Sequence, residues 1–301
     1  MGRAPALLFL LTAASAAADP SWVEVRSPHF RVVSDAREAD ARFLASQLER
    51  IRSAYQSVLG PETEREEPLL VLASRDAHGF EALVPERWRK SGRSRWAGLF
   101  VEAKSGSALL LRLDLERDLR SRTLYHEYFH YVARRQVGRL PPWLNEGLAD
   151  YWATIDIRDE EVLVGRPDYG YLSLLKRKAP IPLETIFAAG NDSRYYRREE
   201  TMTLFYAQSW ALTHFLQSDE GRRRALAAYV SRVGAGADSL VSARETFGDL
   251  ERLAADLRKY VRSRRFRGAR LAPPVLEAQE LRVRALSEPE LLAAREAYSA
   301  P

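Results

Sequence analysis

The 301 residues include no cysteine. That excludes a disulfide framework, a lipidated N-terminal cysteine and any zinc site built on thiolates, so a metal would have to be held by His, Asp or Glu. Histidine is scarce too, with five in the whole chain. Beyond the first twenty residues there is no run of about 18 apolar residues, the length a membrane-spanning helix requires. Charge of one sign does not dominate either: 46 Lys and Arg stand against 41 Asp and Glu, a net of +5. The arginines are interleaved with acids. The densest basic runs, GRRRA (221–225) and RSRRFRGAR (262–270), read as solvated helix faces, and no nucleic-acid partner is expected. No internal repeat of fixed period is present.

What is present is an ordinary globular composition, 46% hydrophobic and 29% charged. It is preceded by MGRAPALLFLLTAASAAADP, in which Arg3, a short apolar run and a cluster of small residues have the pattern of a secretory signal. Cleavage is expected after Ala18, leaving an exported protein, periplasmic or extracellular, with no stable membrane insertion. A retained single-pass anchor is the alternative. Four segments follow from the patterning: the signal peptide (1–18), a mixed α/β N-terminal part (19–118), a helical part (119–270) and a C-terminal helical tail (271–301). The fold class is therefore α+β.

In the N-terminal part, WVEVRSPHFRVVSD (22–35) contains a strand of alternating type that includes His29. Ser34-Asp35 reads as a cap before a helix that Gly60-Pro61 stops. LLVLAS is a short buried strand, and WAGLFVEAKSGSALLLRLD (96–114) is a hairpin turning near KSGS. From Leu119 onward, apolar residues at helical spacing fill 119–137, 142–156, 194–217, 222–233, 237–246 and 249–265. Trp143, Trp152 and Trp210 stand in these helices, where aromatic residues serve as core, and His214 lies on an apolar helix face.

Two of the five histidines fall in one helix, in TLYHEYFHYV (123–132). Each helical residue advances about 100°, so His126 and His130 project from one face, one turn apart, close enough to bind a single ion. Glu127 lies one step round the helix, within reach of a water on that ion. A catalytic zinc needs a third protein ligand and one open position. After Gly138 and LPP comes WLNEGLADYW (143–152), a second helix returning antiparallel, which offers Glu146 as that ligand. Asp150, one turn beyond, can accept a hydrogen bond from the other ring nitrogen of a ligand histidine.

HExxH followed by N-E-x-x-x-D on the next helix resembles the gluzincin zinc peptidases, and YHEYFHYV with PPWLNEGLADYW is similar to the Peptidase MA-like family of that clan. The resemblance is firm over 120–156 and looser at SPHF and YAQSWALTHFL (206–216). It implies a zincin-like helical part with one Zn2+ per chain on His126, His130 and Glu146. Glu127 would be the general base, Asp150 the partner of His126, and Asn145 matches the residue preceding the glutamate ligand. It also implies Tyr206 as a donor to the oxyanion, with Tyr195 or Tyr196 as replacements. No G-x-M-E-N element precedes the zinc helix, so the likeness does not extend to aminopeptidase recognition of a free amine. The expected function is thus an exported zinc metallopeptidase acting on peptides or proteins. A non-catalytic exported binding or scaffold protein of the same fold, and hydrolysis of a non-peptide amide, are the alternatives. The hairpin strand beginning at Trp96 is expected to present an edge beside the metal to which an extended substrate can pair, unless it is an interior strand.

Overall fold

Apolar segments of the first hundred residues build one face of a layered α+β structure. The computed structural model describes residues 22–60, 67–89, 97–103, 106–158, 160–197, 199–263, 266, 268–273 and 280–299. The expected signal peptide with its cleavage site, and Trp96, lie outside them. Strands β1 (Val23–Arg26) and β2 (Phe30–Ser34) pair antiparallel. The single strand expected here is thus two. Pro28 has no N–H to give to a ladder, and the Ser27 N–H donates to the Phe30 carbonyl at 3.0 Å, closing a turn. His29 sits in that turn, its Nδ1 2.8 Å from Glu49 Oε2.

Helix α1 (Glu38–Leu59) follows and ends at Gly60, whose φ of +87° suits glycine. Its N-terminus differs from expectation. Arg37 is the capping position, while Ser34 Oγ accepts from Ala36 N–H (3.1 Å) and Asp35 from Arg75 N–H (2.6 Å). Both side chains fix the preceding loop instead of the helix end. Strand β3 (Leu69–Ser74), buried throughout, runs parallel to β2. Short helices α2 (Ala77–Leu83) and α3 (Glu86–Arg89) lead to the hairpin of β4 (Gly98–Ala103) and β5 (Gly106–Arg112), with β5 parallel to β3.

The C-terminal segment returns to this sheet. Strand β9 (Arg282–Ala285) pairs with β1, completing the order β4-β5-β3-β2-β1-β9. Glu24, 1% exposed, accepts from Arg31 Nε at 2.6 Å and Arg284 Nε at 2.9 Å, tying β9 to the first hairpin. Helix α13 (Glu288–Ser299) lies on the sheet, with the Tyr298 hydroxyl donating to the Leu83 carbonyl at 2.8 Å. Both faces are covered. Val25, Val32, Val71 and Leu109 belong to the core shared with α1 and α4 (Arg117–Gln136), and Val33, Leu72 and Leu110 to the one shared with Phe80, Leu83 and Tyr298.

The rest is mostly helical: α5 (Pro142–Ala153), α6 (Tyr169–Arg177), α7 (Leu183–Ala188), α8 (Arg194–Arg197), α9 (Glu199–Leu216), α10 (Glu220–Gly234), α11 (Ser239–Phe247) and α12 (Leu250–Arg262). A small sheet of β6 (Asp156–Ile157), β7 (Val162–Val164) and β8 (Ala269–Leu271) accompanies them. Helix α5 packs between α4 and α9. Gly147 allows the approach to α9, since a Cβ there would stand 2.6 Å from the Ser209 carbonyl oxygen. Trp143 and Trp210 are fully buried core residues. Among the described residues no helix is long and apolar enough to cross a membrane.

Candidate metal centre

Helix α4 turns Leu124, Tyr128 and Val132 into the core. A different row, Arg122, His126, His130 and Arg134, recurs every fourth residue and lines a cleft of about 620 Å³. Helix α5 contributes Asn145, Glu146 and Asp150 to the same cleft, β4 contributes Gly98 to Phe100 and Glu102, and α9 contributes Met202 and Tyr206. The two arginines are occupied: Arg122 Nη2 lies 2.6 Å from Asp168 Oδ2, and Arg134 Nε lies 2.9 Å from both oxygens of Glu102.

At the centre, three ligand atoms form a triangle. His126 Nε2 and His130 Nε2 are 3.0 Å apart, and Glu146 Oε2 is 3.3 Å from the first and 3.6 Å from the second. Tetrahedral bonds of about 2.0–2.1 Å put neighbouring ligand atoms about 3.3–3.4 Å apart, so these are the proportions of one face of a zinc tetrahedron. Among the described residues this is the one His/Cys/Asp/Glu group with the convergence a metal requires. The donor chemistry fits as well. His126 Nδ1 lies 2.9 Å from Asp150 Oδ1, so with the proton held on Nδ1 the Nε2 would be the atom offered to an ion.

The electrostatics follow from crowding charges out of water. Burial alone would raise the Glu146 carboxyl, but the His130 and His126 imidazoles hold it well below the usual range. Burial would lower His126, yet hydrogen bonds to Asp150 and Glu146 raise it well above an ordinary histidine. Glu127 is raised, first by burial and also by the Glu146 charge, with His126 and His130 opposing.

Glu127 does not join the triangle. Its Oε2 accepts from the Phe100 backbone N–H at 2.7 Å. Among the described residues strand β4 is an edge of the sheet. Ala97 accepts from Arg112 N–H toward β5, and the ladder then alternates, so Gly98, Phe100 and Glu102 turn their backbone groups outward to the cleft. The expected edge beside the candidate ligands is therefore present.

Tyr206 borders the cleft, as Asn145 does. Tyr195 does not: it lines a separate surface hollow, with its hydroxyl accepting from Arg194 at 2.9 Å. The Tyr196 side chain lies outside the described structure. Tyr171 of α6 is a cleft residue that the sequence reading missed, and its hydroxyl donates to Asp150 Oδ2 at 3.0 Å. The available signal was Asp168, an N-cap type residue three positions earlier, whose side chain accepts from Tyr171 N–H. His214 is buried away from the cleft: Nε2 donates to the Gly165 carbonyl (2.8 Å), so Nδ1 accepts from the Tyr260 hydroxyl (2.8 Å).

Residues 122–236 match a family described as a protein of unknown function (DUF1570). The match begins within α4, includes HEYFH and the whole of α5 and extends past the end of α10, leaving out the six-stranded sheet. No curated protein matches the chain.

Proposed function

We propose that this protein is a zinc-dependent hydrolase of peptide bonds, with His126, His130 and Glu146 as the ligands. The observation that carries the reading is the triangle of 3.0, 3.3 and 3.6 Å among two imidazole nitrogens and one carboxylate oxygen, beside a glutamate held out of it. Zinc there would supply a Lewis acid and an acidified water at its open position.

The remaining work belongs to the chain. Glu127, fixed by the Phe100 N–H, takes the proton as water attacks the scissile carbonyl and returns it to the leaving amine. The outward backbone groups of Gly98 and Glu102, with the Phe100 carbonyl, pair with an extended substrate as an added strand, positioning its carbonyl. Tyr206, across the cleft on α9, is the proposed donor to the developing oxyanion. Likeness of HEYFH and NEGLAD to the gluzincin peptidases supports the same assignment and peptides or proteins as substrates, and the signal-like pattern of the first residues supports an exported protein.

The test is a mixed-peptide digest by wild type and Glu127→Gln at saturating zinc. Wild type is expected to cleave, with activity removed by chelation and restored by zinc, and Glu127→Gln is expected to be nearly inert. Equal cleavage by both proteins would overturn the role of Glu127. Zinc bound by a wild type that cleaves nothing would favour a non-catalytic binding protein.

A further inference from the structure

Asp150 has two carboxylate oxygens, and both are engaged. Oδ1 faces His126 Nδ1 at 2.9 Å, and Oδ2 accepts from the Tyr171 hydroxyl at 3.0 Å. The residue is 8% exposed, so the second oxygen has little access to water. A buried oxygen with no donor costs free energy and leaves the carboxylate free to swing. The Tyr171 hydroxyl removes that freedom. Burial first, and the Asp150 charge next, push this phenol well above its ordinary value, so it remains a donor wherever the protein works.

Tyr171 is itself held from two sides. It stands in the first turn of α6, where Asp168 Oδ1 accepts its backbone N–H at 2.9 Å, and its ring packs on Trp210 with centroids 5.8 Å apart. The other oxygen of Asp168 receives Arg122 Nη2 at 2.6 Å. Arg122 is one helical turn before His126. The contacts close a circuit from α4 through the α6 cap and Tyr171 to α5, and back to α4 at His126. Three helices are thereby registered on one imidazole.

We infer that Tyr171 is a positioning residue for the metal centre: its hydroxyl fixes the Asp150 carboxylate that holds the proton on Nδ1 of His126, leaving Nε2 to bind the ion, and the Arg122–Asp168 pair sets Tyr171 in place. The inference rests on the metal reading above and adds to it a residue two contacts from the ion. Groups that orient a ligand typically change metal affinity 10–100-fold. Tyr171 acts one contact further out, and Tyr171→Phe, which deletes only the hydroxyl, is expected at the lower end, about tenfold.

The experiment measures zinc dissociation constants by competition with a chromophoric chelator for wild type, Tyr171→Phe, Asp150→Ala and the double variant, with circular dichroism of each metal-free protein to verify folding. Tyr171→Phe should weaken zinc about tenfold in the wild-type background and by almost nothing once Asp150 is gone, because its effect passes through that carboxylate. A loss of equal size in both backgrounds would mean general destabilisation and would overturn the inference. So would an unchanged affinity in Tyr171→Phe while wild type binds zinc, which leaves the metal reading standing. A wild type that binds no zinc overturns both. Should Tyr171→Phe fail to fold, Asp168→Asn keeps a capping side chain but weakens the Arg122 pair. It should lower zinc affinity a few-fold, and unchanged affinity there would count against the circuit.

Discussion

Glu127 and Glu146 are one helix apart in sequence, both buried, and have opposite parts in the proposed site. The difference lies in what each carboxylate touches: Glu146 meets two imidazole nitrogens, and Glu127 meets a backbone N–H of the sheet edge. Glu127→Gln is therefore expected to keep full zinc content while turnover falls by about 10²–10⁴-fold, since a neutral amide cannot accept the proton. Metal analysis and initial rates on the same sample would check both halves. Asp150→Asn should behave otherwise, with zinc affinity about 10–100-fold weaker and activity partly restored by added metal. At this scale His126, Glu127, His130, Glu146 and Asp150 were legible because helical periodicity fixes which side chains share a face. Tyr171 was not, because its contact with Asp150 depends on where α6 lies and not on any spacing within α4 or α5.

At the scale of elements, close approaches without side chains position the site. A Cβ at Gly147 would meet the Ser209 carbonyl at 2.6 Å, and one at Gly98 would meet Thr123 Cγ2 at 2.7 Å and Glu127 Cγ at 3.0 Å. Gly147→Ala should force α5 from α9, lowering stability by about 1–3 kcal/mol and displacing Glu146, visible as a lower Tm with weaker zinc binding. Gly98→Ala should push the β4 edge from Glu127, reducing turnover while zinc is retained. The long amphipathic helices α4, α5, α9 and α12 and the β4–β5 hairpin were legible from their patterning. Helix α6, although as long as α11, was not, and neither were helix α7 and the three-residue strands β7 and β8, which are too short to show a period. Strand β9, RVRA, is exposed or half-buried along its length and exists through pairing with β1 and the grip of Glu24 on Arg284.

At the scale of the whole molecule, one buried histidine links folding to pH. His214 is lowered, chiefly by burial, from an ordinary value of 6.5, with its hydrogen bond to Gly165 opposing. Below about that pH the unfolded chain takes up a proton that the folded protein refuses. The stability contributed by neutral His214 is thus present above 6.5 and lost as pH falls toward the depressed folded value. Thermal melts of the zinc-loaded protein between pH 7.5 and 5 should show a steeper decline for wild type than for His214→Gln, and parallel declines would contradict the assignment. The expectations for Glu127, Asp150 and Gly98 presuppose an ion held between α4 and α5. The direct measurement is elemental analysis of the purified protein after zinc loading and removal of excess, for wild type, His130→Ala and Glu146→Ala. One zinc per chain is expected in wild type and little in either variant. A wild type without zinc, or stoichiometric zinc surviving in His130→Ala, would contradict the metal reading.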